Sequence, residues 1–186
     1  MTELLALWLP ILVCSIVLWF ASFIAWAVSP HHKPDYIKHP DEEKLLEFVR
    51  SSNAKPGQQY LFPHAEHSEL KDEAVIARYK AGPWGVLNIW PGEPNMGANM
   101  VKTFLFFVVT SFFIAYLTQL ALDPGEGFSK VFQISGTAGI LAYCFAPTAN
   151  DIWFEKPKRA VLMNWIDGII FGLLTGVVFG MMWPAA

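Results

Sequence analysis

The chain has 186 residues, of which 54% are apolar, and a formal net charge of −3. This apolar share, together with 15 phenylalanines and eight tryptophans, is unusual for a soluble domain and typical of a helical membrane protein. The small net charge and the scattered lysines and arginines argue against a nucleic-acid partner. No phosphate-binding glycine loop and no nucleophile motif is present, so no catalytic residue is expected.

The first apolar stretch, residues 1–28, predicts a transmembrane helix that begins near Leu4 and ends at Val28. At about 1.5 Å per residue it is long enough to cross a hydrocarbon core of about 30 Å. A cleaved signal peptide is not expected, because no lysine or arginine precedes the apolar run and no Ala-x-Ala site follows it. Cys14 in this helix and Cys144 in a later one are expected to be packing residues and not a disulfide.

Residues 29–102 form a polar segment with the predicted order helix, strand, helix, strand. The helices are expected at residues 41–50, capped by Asp41, and at residues 68–80, capped by Ser68. The strands are expected at residues 59–62 and 84–90. The buried side of the first helix would consist of Leu45, Leu46, Phe48 and Val49. A segment of this size has too little core to be stable alone, so it should lean on the membrane helices or on a partner.

The second and third spans are predicted at residues 103–122 and 130–149. A short polar turn at residues 123–127 joins them, which predicts two antiparallel neighbours. Ser135 and Gly139 give the third span a surface of small residues that another helix can approach closely.

The last span, residues 160–183, has a small or polar residue at every fourth position: Asn164, Gly168, Gly172, Gly176 and Gly180. In water each glycine would cost a helix about 1 kcal/mol relative to alanine, whereas in lipid the missing side chains let helix backbones approach each other. This row drifts around the helix by about 40° per step. We therefore expect the first two glycines to meet one neighbour and the last two another, within the chain or, alternatively, in a second copy or a partner.

Asp167 is the one ionisable residue in the apolar part of a span, where a carboxylate costs about 2.5–3.5 kcal/mol at the bilayer centre. It lies about two helical turns from the basic residues 156–159. Its carboxylate could therefore pair with Lys158 or Arg159 and form hydrogen bonds at the beginning of the last helix. The alternative is an intramembrane polar cluster that touches a proton or a small ligand and consists of Asn150, Asp151, Asn164 and Asp167.

Charge placement predicts the orientation, because basic residues mark the cytoplasmic side of short loops. The loop at residues 156–159 is basic, and Lys33, Lys38 and Lys102 flank the polar segment. The turn at residues 123–127 contains only acidic charges. These charges predict that both termini lie outside and residues 29–102 lie in the cytoplasm. The protein is expected to be integral to a bacterial inner membrane.

All five histidines lie in the polar segment. His64 and His67, with Glu66 between them, are candidate ligands of a divalent metal, although their spacing is one residue shorter than in the zinc-protease pattern. His31, His32 and His39 could complete such a site only if the fold places them next to these candidate ligands. No other cofactor is implied.

These features favour a mainly α protein, a bundle of four transmembrane helices with a small α/β cytoplasmic segment inserted between helices 1 and 2. The predicted function is that of a non-enzymatic subunit or scaffold in the lipid bilayer, with a protein partner docking on Tyr60, Phe62, Trp84 and Trp90, or with a second copy of the chain. One alternative is a metal-dependent membrane enzyme that uses His64, Glu66 and His67. The other is a small transporter subunit centred on Asn164 and Asp167.

Overall fold

The computed structural model describes residues 6–185 and separates the chain into two units. The helix unit comprises the described residues up to 37 and from 96 onward, and the polar unit comprises residues 38–95. Between residues 6 and 185 the chain forms seven α-helices and one two-stranded sheet, which confirms the mainly α class. The predicted start of the first span, Leu4, lies outside the described residues.

The elements follow one another in this order along the chain. The first helix is α1 (Trp8–Phe23), which continues as a π-helical turn (Ile24–Val28) and is followed by a 3₁₀ turn (Pro30–Asp35). The polar unit contains α2 (Glu42–Ser51), β1 (Gln58–Phe62), α3 (Glu73–Ala81) and β2 (Gly85–Ile89). The chain then forms α4 (Met96–Ala121), α5 (Phe128–Ile140) with its π-helical extension (Leu141–Phe145), α6 (Thr148–Trp153) and α7 (Lys158–Met182).

Three helices of the described chain are long and apolar enough to cross a membrane: Trp8–Val28, Met96–Ala121 and Lys158–Met182. The protein is therefore a small multi-pass membrane protein. The third predicted span, residues 130–149, is not among these three. Its helix ends at Phe145, and a separate short helix, α6, follows Pro147. The helix is interrupted here because proline has no backbone N–H to donate to the preceding turn.

The helix unit is organised around α7, which packs along α5 on one side and against α1 on another, while α1 also packs against α4. Buried apolar side chains from all four helices meet in one cluster: Leu7, Ile11, Cys14, Leu18, Phe107, Ile114, Ala115, Val131 and Phe179. Buried hydroxyl groups donate to the carbonyl four residues earlier in their own helix, at 2.6–2.8 Å, in Ser15, Thr118, Ser135 and Thr175. These polar groups are thus satisfied inside an apolar interior.

The glycines of α7 all face the same neighbour. A Cβ added to Gly168 would lie 2.7 Å from the Cα of Cys144, and one added to Gly172 would lie 2.6 Å from the backbone nitrogen of Ile140. The same construction at Gly176 and Gly180 meets Phe132 and Phe128, with ring atoms at 2.8 and 2.7 Å. The expectation that the two glycine pairs meet different helices is therefore wrong. A neighbour that follows the slanted row of i, i+4 positions stays over all four glycines.

One end of the helix unit is fixed by hydrogen bonds between distant parts of the chain. The indole N–H of Trp183 donates to the carbonyl of Asp123 at 3.0 Å, and the N–H of Gly125 donates to the carbonyl of Pro184 at 2.8 Å. Gly125 has a φ of 85°, a conformation that favours glycine. The turn between α4 and α5 therefore lies beside the end of α7.

The polar unit contains an antiparallel pair in which Tyr60 faces Leu87 and Phe62 faces Gly85. Helix α3 begins later than predicted: Asp72, not Ser68, caps it by accepting a hydrogen bond from the N–H of Ala74 at 2.8 Å. No residue from 38 to 95 is buried. The predicted buried side of α2 is accordingly exposed at Leu45, Leu46 and Phe48 and partly exposed at Val49, because no other helix or strand of the polar unit packs along it.

Candidate functional site: a histidine–aspartate cluster at the ends of two membrane helices

The candidate site begins where the first membrane helix ends. Ser29 adopts an extended conformation (φ −71°, ψ 141°) and stops the helix, and Pro30 starts the 3₁₀ turn that carries His31 and His32. Pro is suited to the first position of such a turn, where no intrahelical N–H bond is needed. The turn directs two adjacent imidazoles toward the same group on α7.

That group is the carboxylate of Asp167. Its Oδ1 lies 3.0 Å from Nε2 of His31, and its Oδ2 lies 2.8 Å from Nε2 of His32. His32 and Asp167 are both buried, at 4% and 6% exposure. One carboxylate thus binds two imidazoles, which compensates for its removal from water.

Asp35 and Arg159 extend this network toward the surface. Asp35 Oδ2 lies 2.6 Å from Nδ1 of His32, and the guanidinium of Arg159 donates to Asp35 Oδ1 at 2.5 Å. Arg159 also donates to the backbone carbonyl of His31 at 2.7 Å. Arg159 therefore fixes the 3₁₀ turn to the start of α7 by two hydrogen bonds.

The electrostatics of the cluster favour the charged forms of His32 and Asp35. Burial by itself lowers the pKa of His32, but the hydrogen bonds and charges of Asp35 and Asp167 outweigh it, and the pKa is raised above its ordinary value. The hydrogen bond from His32 and, against the effect of burial, the charge of Arg159 hold the pKa of Asp35 below its ordinary range. The imidazolium of His32 and the guanidinium of Arg159 thus both lie next to the carboxylate of Asp35.

Two further features define the surroundings of His32. The indole of Trp26 stacks on its ring, with centroids 3.8 Å apart and planes inclined by 5°. A cavity of about 180 Å³ lies beside the cluster and is lined by Trp26, Asp35, Tyr36, Lys156, Pro157, Ala160 and Asn164. The ring of His31 is the more accessible of the two, with 26% of its side chain exposed.

The other members of the predicted intramembrane cluster have different neighbours. Asp151 pairs with Lys156 at 3.2 Å, and Asn164 lines the cavity beside Asp35. The backbone carbonyl of Asn150 accepts a hydrogen bond from the N–H of Phe154 at 3.1 Å. Arg159, one of the two predicted partners of Asp167, binds Asp35. The structure therefore assigns Asp167 to the histidines.

The predicted metal ligands of the polar unit lie in the connection between β1 and α3. The backbone carbonyl of His64 accepts a hydrogen bond from Arg78 at 3.1 Å, and the N–H of Glu66 donates to the carboxylate of Glu69 at 2.8 Å. Within residues 6–185, one group of three or more His, Cys, Asp or Glu side chains has its ligand atoms within 4.8 Å of one another: His31, His32 and Asp167. His64, Glu66 and His67 are not part of it.

Sequence reasoning identified Asp167 but missed its partners His31 and His32, and it missed Asp35, which bonds to His32. A signal was available, because a carboxylate in a span needs a partner at the same depth, and the His-His pair follows directly on the end of the first span. No protein-family model, no curated protein and no solved structure matches this chain.

Proposed function

We propose that the protein is a membrane scaffold, in which the helix unit holds the polar unit at the bilayer and the polar unit binds a protein partner. One observation carries this proposal: no residue from 38 to 95 is buried. A two-stranded sheet with two short helices is marginally stable by itself. A partner that covers this unit would supply the burial that its own helices and strands do not.

The exposed aromatic side chains of the polar unit indicate where such a partner would bind. Phe62, Trp84 and Trp90 are 44%, 61% and 61% exposed, and large aromatic residues contribute most of the binding energy of many interfaces. Tyr60 differs, because it is partly buried and its hydroxyl accepts a hydrogen bond from a backbone N–H of the unit at 2.7 Å. The indole N–H of Trp84 also donates within the unit, to the carbonyl of Tyr79 at 2.8 Å, but most of this side chain remains exposed. We therefore assign Tyr60 to the internal structure of the unit and the other three to the docking surface.

Charge favours a protein over the lipid surface as the occupant. Residues 38–95 contain nine acidic side chains and seven lysines and arginines. Anionic lipid headgroups attract polybasic segments and repel a segment with a net negative charge. A protein partner can instead match the mixed charges around the aromatic residues.

The contacts of the helix unit support the predicted four-span arrangement. The end of α7 lies beside the turn at residues 123–127, whereas its start is bonded to the 3₁₀ turn that follows α1. The intervening helix α5 runs antiparallel to α7, with Phe128 beside Gly180 and Cys144 beside Gly168. From Phe128 to Phe145 it extends about 27 Å, close to the thickness of a hydrocarbon core. We propose that α5 and its extension cross the membrane, packed on the glycine row.

Hydrogen exchange of the full-length chain tests the docking proposal. We expect β1 and β2 to be protected in native membranes and to exchange rapidly after reconstitution into protein-free vesicles of the same lipids. Trp84→Ser and Trp90→Ser should abolish the protection, whereas Trp153→Ser, at an exposed position of α6, should not. Protection in the protein-free vesicles would identify lipid as the occupant, and equal exchange in both membranes would remove the proposal.

A further inference from the structure

We propose that His31, His32 and Asp167 form a binding site for a divalent transition-metal ion such as zinc. The site lies entirely in the helix unit and is independent of the docking surface on the polar unit. Two imidazole nitrogens and a carboxylate are ligands that zinc and neighbouring first-row metals share. The three residues come from two separate parts of the chain, so the fold and not a local motif assembles them.

The distances suit one shared ion. Each Nε2 lies 2.8–3.0 Å from an oxygen of Asp167, and all the ligand atoms lie within 4.8 Å of one another. Metal–ligand bonds of about 2.0–2.2 Å place the ligands of a tetrahedral ion roughly 3.3–3.6 Å apart. An ion between the two imidazoles and the carboxylate therefore requires a slight opening of the cluster and no refolding.

The groups behind the ligands orient them as metal sites require. A ligating histidine typically bonds through its second ring nitrogen to a carboxylate or another fixed polar group. Nδ1 of His32 lies 2.6 Å from Asp35, and Nδ1 of His31 lies 2.5 Å from the hydroxyl of Ser29. In both residues Nε2 is thereby left to face Asp167. Asp35 is in turn held by Arg159 and acts as a positioning residue.

The number and accessibility of the ligands favour an open site. Structural zinc sites have four protein ligands, whereas three protein ligands leave a position for water or for a small anion. The partial exposure of the His31 side chain, 26%, provides access for an ion to the ligand set. Such an ion would link the 3₁₀ turn that follows α1 to α7.

Metal analysis of the full-length protein, purified without a polyhistidine tag and stripped with a chelator, tests the site. After dialysis against Zn²⁺ we expect about one ion per chain, and Co²⁺ should give the visible absorption of a four- or five-coordinate ion. His32→Ala and Asp167→Ala should lose the ion, whereas His64→Ala and His67→Ala should retain it. Loss of the ion in His64→Ala with retention in His32→Ala would overturn the assignment.

The positioning role of Asp35 has its own matched test. Asp35→Asn should weaken Co²⁺ binding by about 10- to 100-fold, as loss of a carboxylate behind a ligating histidine does. Asp151→Asn, which removes a carboxylate paired with Lys156, should leave the affinity and the spectrum unchanged. The wild-type titration decides the proposal even if a variant fails to fold. No bound zinc and no cobalt absorption in the wild-type protein would refute it.

Discussion

The carboxylate of Asp167 lies 2.8 Å from Nε2 of His32, although 135 residues separate the two in the chain. This contact joins the segment that leaves the first membrane helix to the first turns of the last one. A carboxylate in a span and a histidine at a span end are each costly to remove from water. Together they form a compensated pair, so the contact also determines how α1 and α7 are placed.

We predict that Asp167→Asn destabilises the helix unit by about 1–3 kcal/mol when measured in the presence of a chelator. An amide cannot accept from both imidazoles, so one buried donor loses its partner. Unfolding by dodecyl sulfate in mixed micelles gives the free energy. The same substitution at Asp151, whose partner Lys156 is partly exposed, should cost about 1 kcal/mol or less. Equal losses at the two positions would contradict the special role of Asp167.

Part of this site could be predicted from the sequence and part could not. Asp167 was identifiable because one charge in an apolar span is conspicuous in the residue pattern itself. The sequence also contains both sets of possible partners, Arg159 and the histidines, but the choice between them depends on how the 3₁₀ turn after Val28 folds back. The two prolines of that turn, Pro30 and Pro34, restrict its backbone, but a local restriction does not specify a contact with a distant helix.

The helices show the same division between local and long-range information. The lengths of the apolar stretches predicted α1, α4 and α7. A helix that crosses a membrane needs a long run of apolar residues, and such a run can be read directly from the sequence. The glycine row predicted close packing, but its angular drift suggested two neighbours, whereas α5 and its π-helical extension together meet all four glycines. In the polar unit the amphipathic pattern of α2 predicted a buried face at Leu45 and Phe48, yet both are exposed. A pattern of residues shows that a face can be covered, not which element covers it.

We predict that Gly172→Ala destabilises the packing of α7 on α5 by about 1–3 kcal/mol, the usual cost of overpacking. The new methyl group would lie 2.6 Å from the backbone nitrogen of Ile140, which cannot move independently of its helix. Gly127→Ala is the matched control, since no atom lies within 4 Å of a Cβ at that position and its backbone (φ −71°, ψ 152°) suits alanine. Thermal unfolding in detergent should separate the two variants, and equal melting temperatures would contradict the packing.

Asp72→Ala is predicted to destabilise α3 by about 0.5–2 kcal/mol, because the side chain of Asp72 caps the helix by accepting from the N–H of Ala74. Ser68→Ala is the control, since Ser68 precedes the separate 3₁₀ turn Glu69–Lys71 and makes no side-chain cap. Hydrogen exchange of residues 73–81 provides the measurement. Faster exchange in the Asp72 variant alone would agree with the structure, whereas a larger effect of Ser68→Ala would favour the boundary predicted from the sequence.

The four-span proposal predicts which loops share a side of the membrane. Because α4 leads away from the polar unit and α5 returns, a single cysteine introduced at Glu126 should react with a membrane-impermeant maleimide on the face opposite to one introduced at Asn53. A background of Cys14→Ala and Cys144→Ala removes the two natural thiols, which are both buried. Right-side-out vesicles should label Glu126→Cys, and inverted vesicles should label Asn53→Cys and a cysteine at Glu155. If α5 does not cross, Glu155→Cys will be labelled from the same side as Glu126→Cys, which would leave three spans and reverse the predicted location of the basic loop.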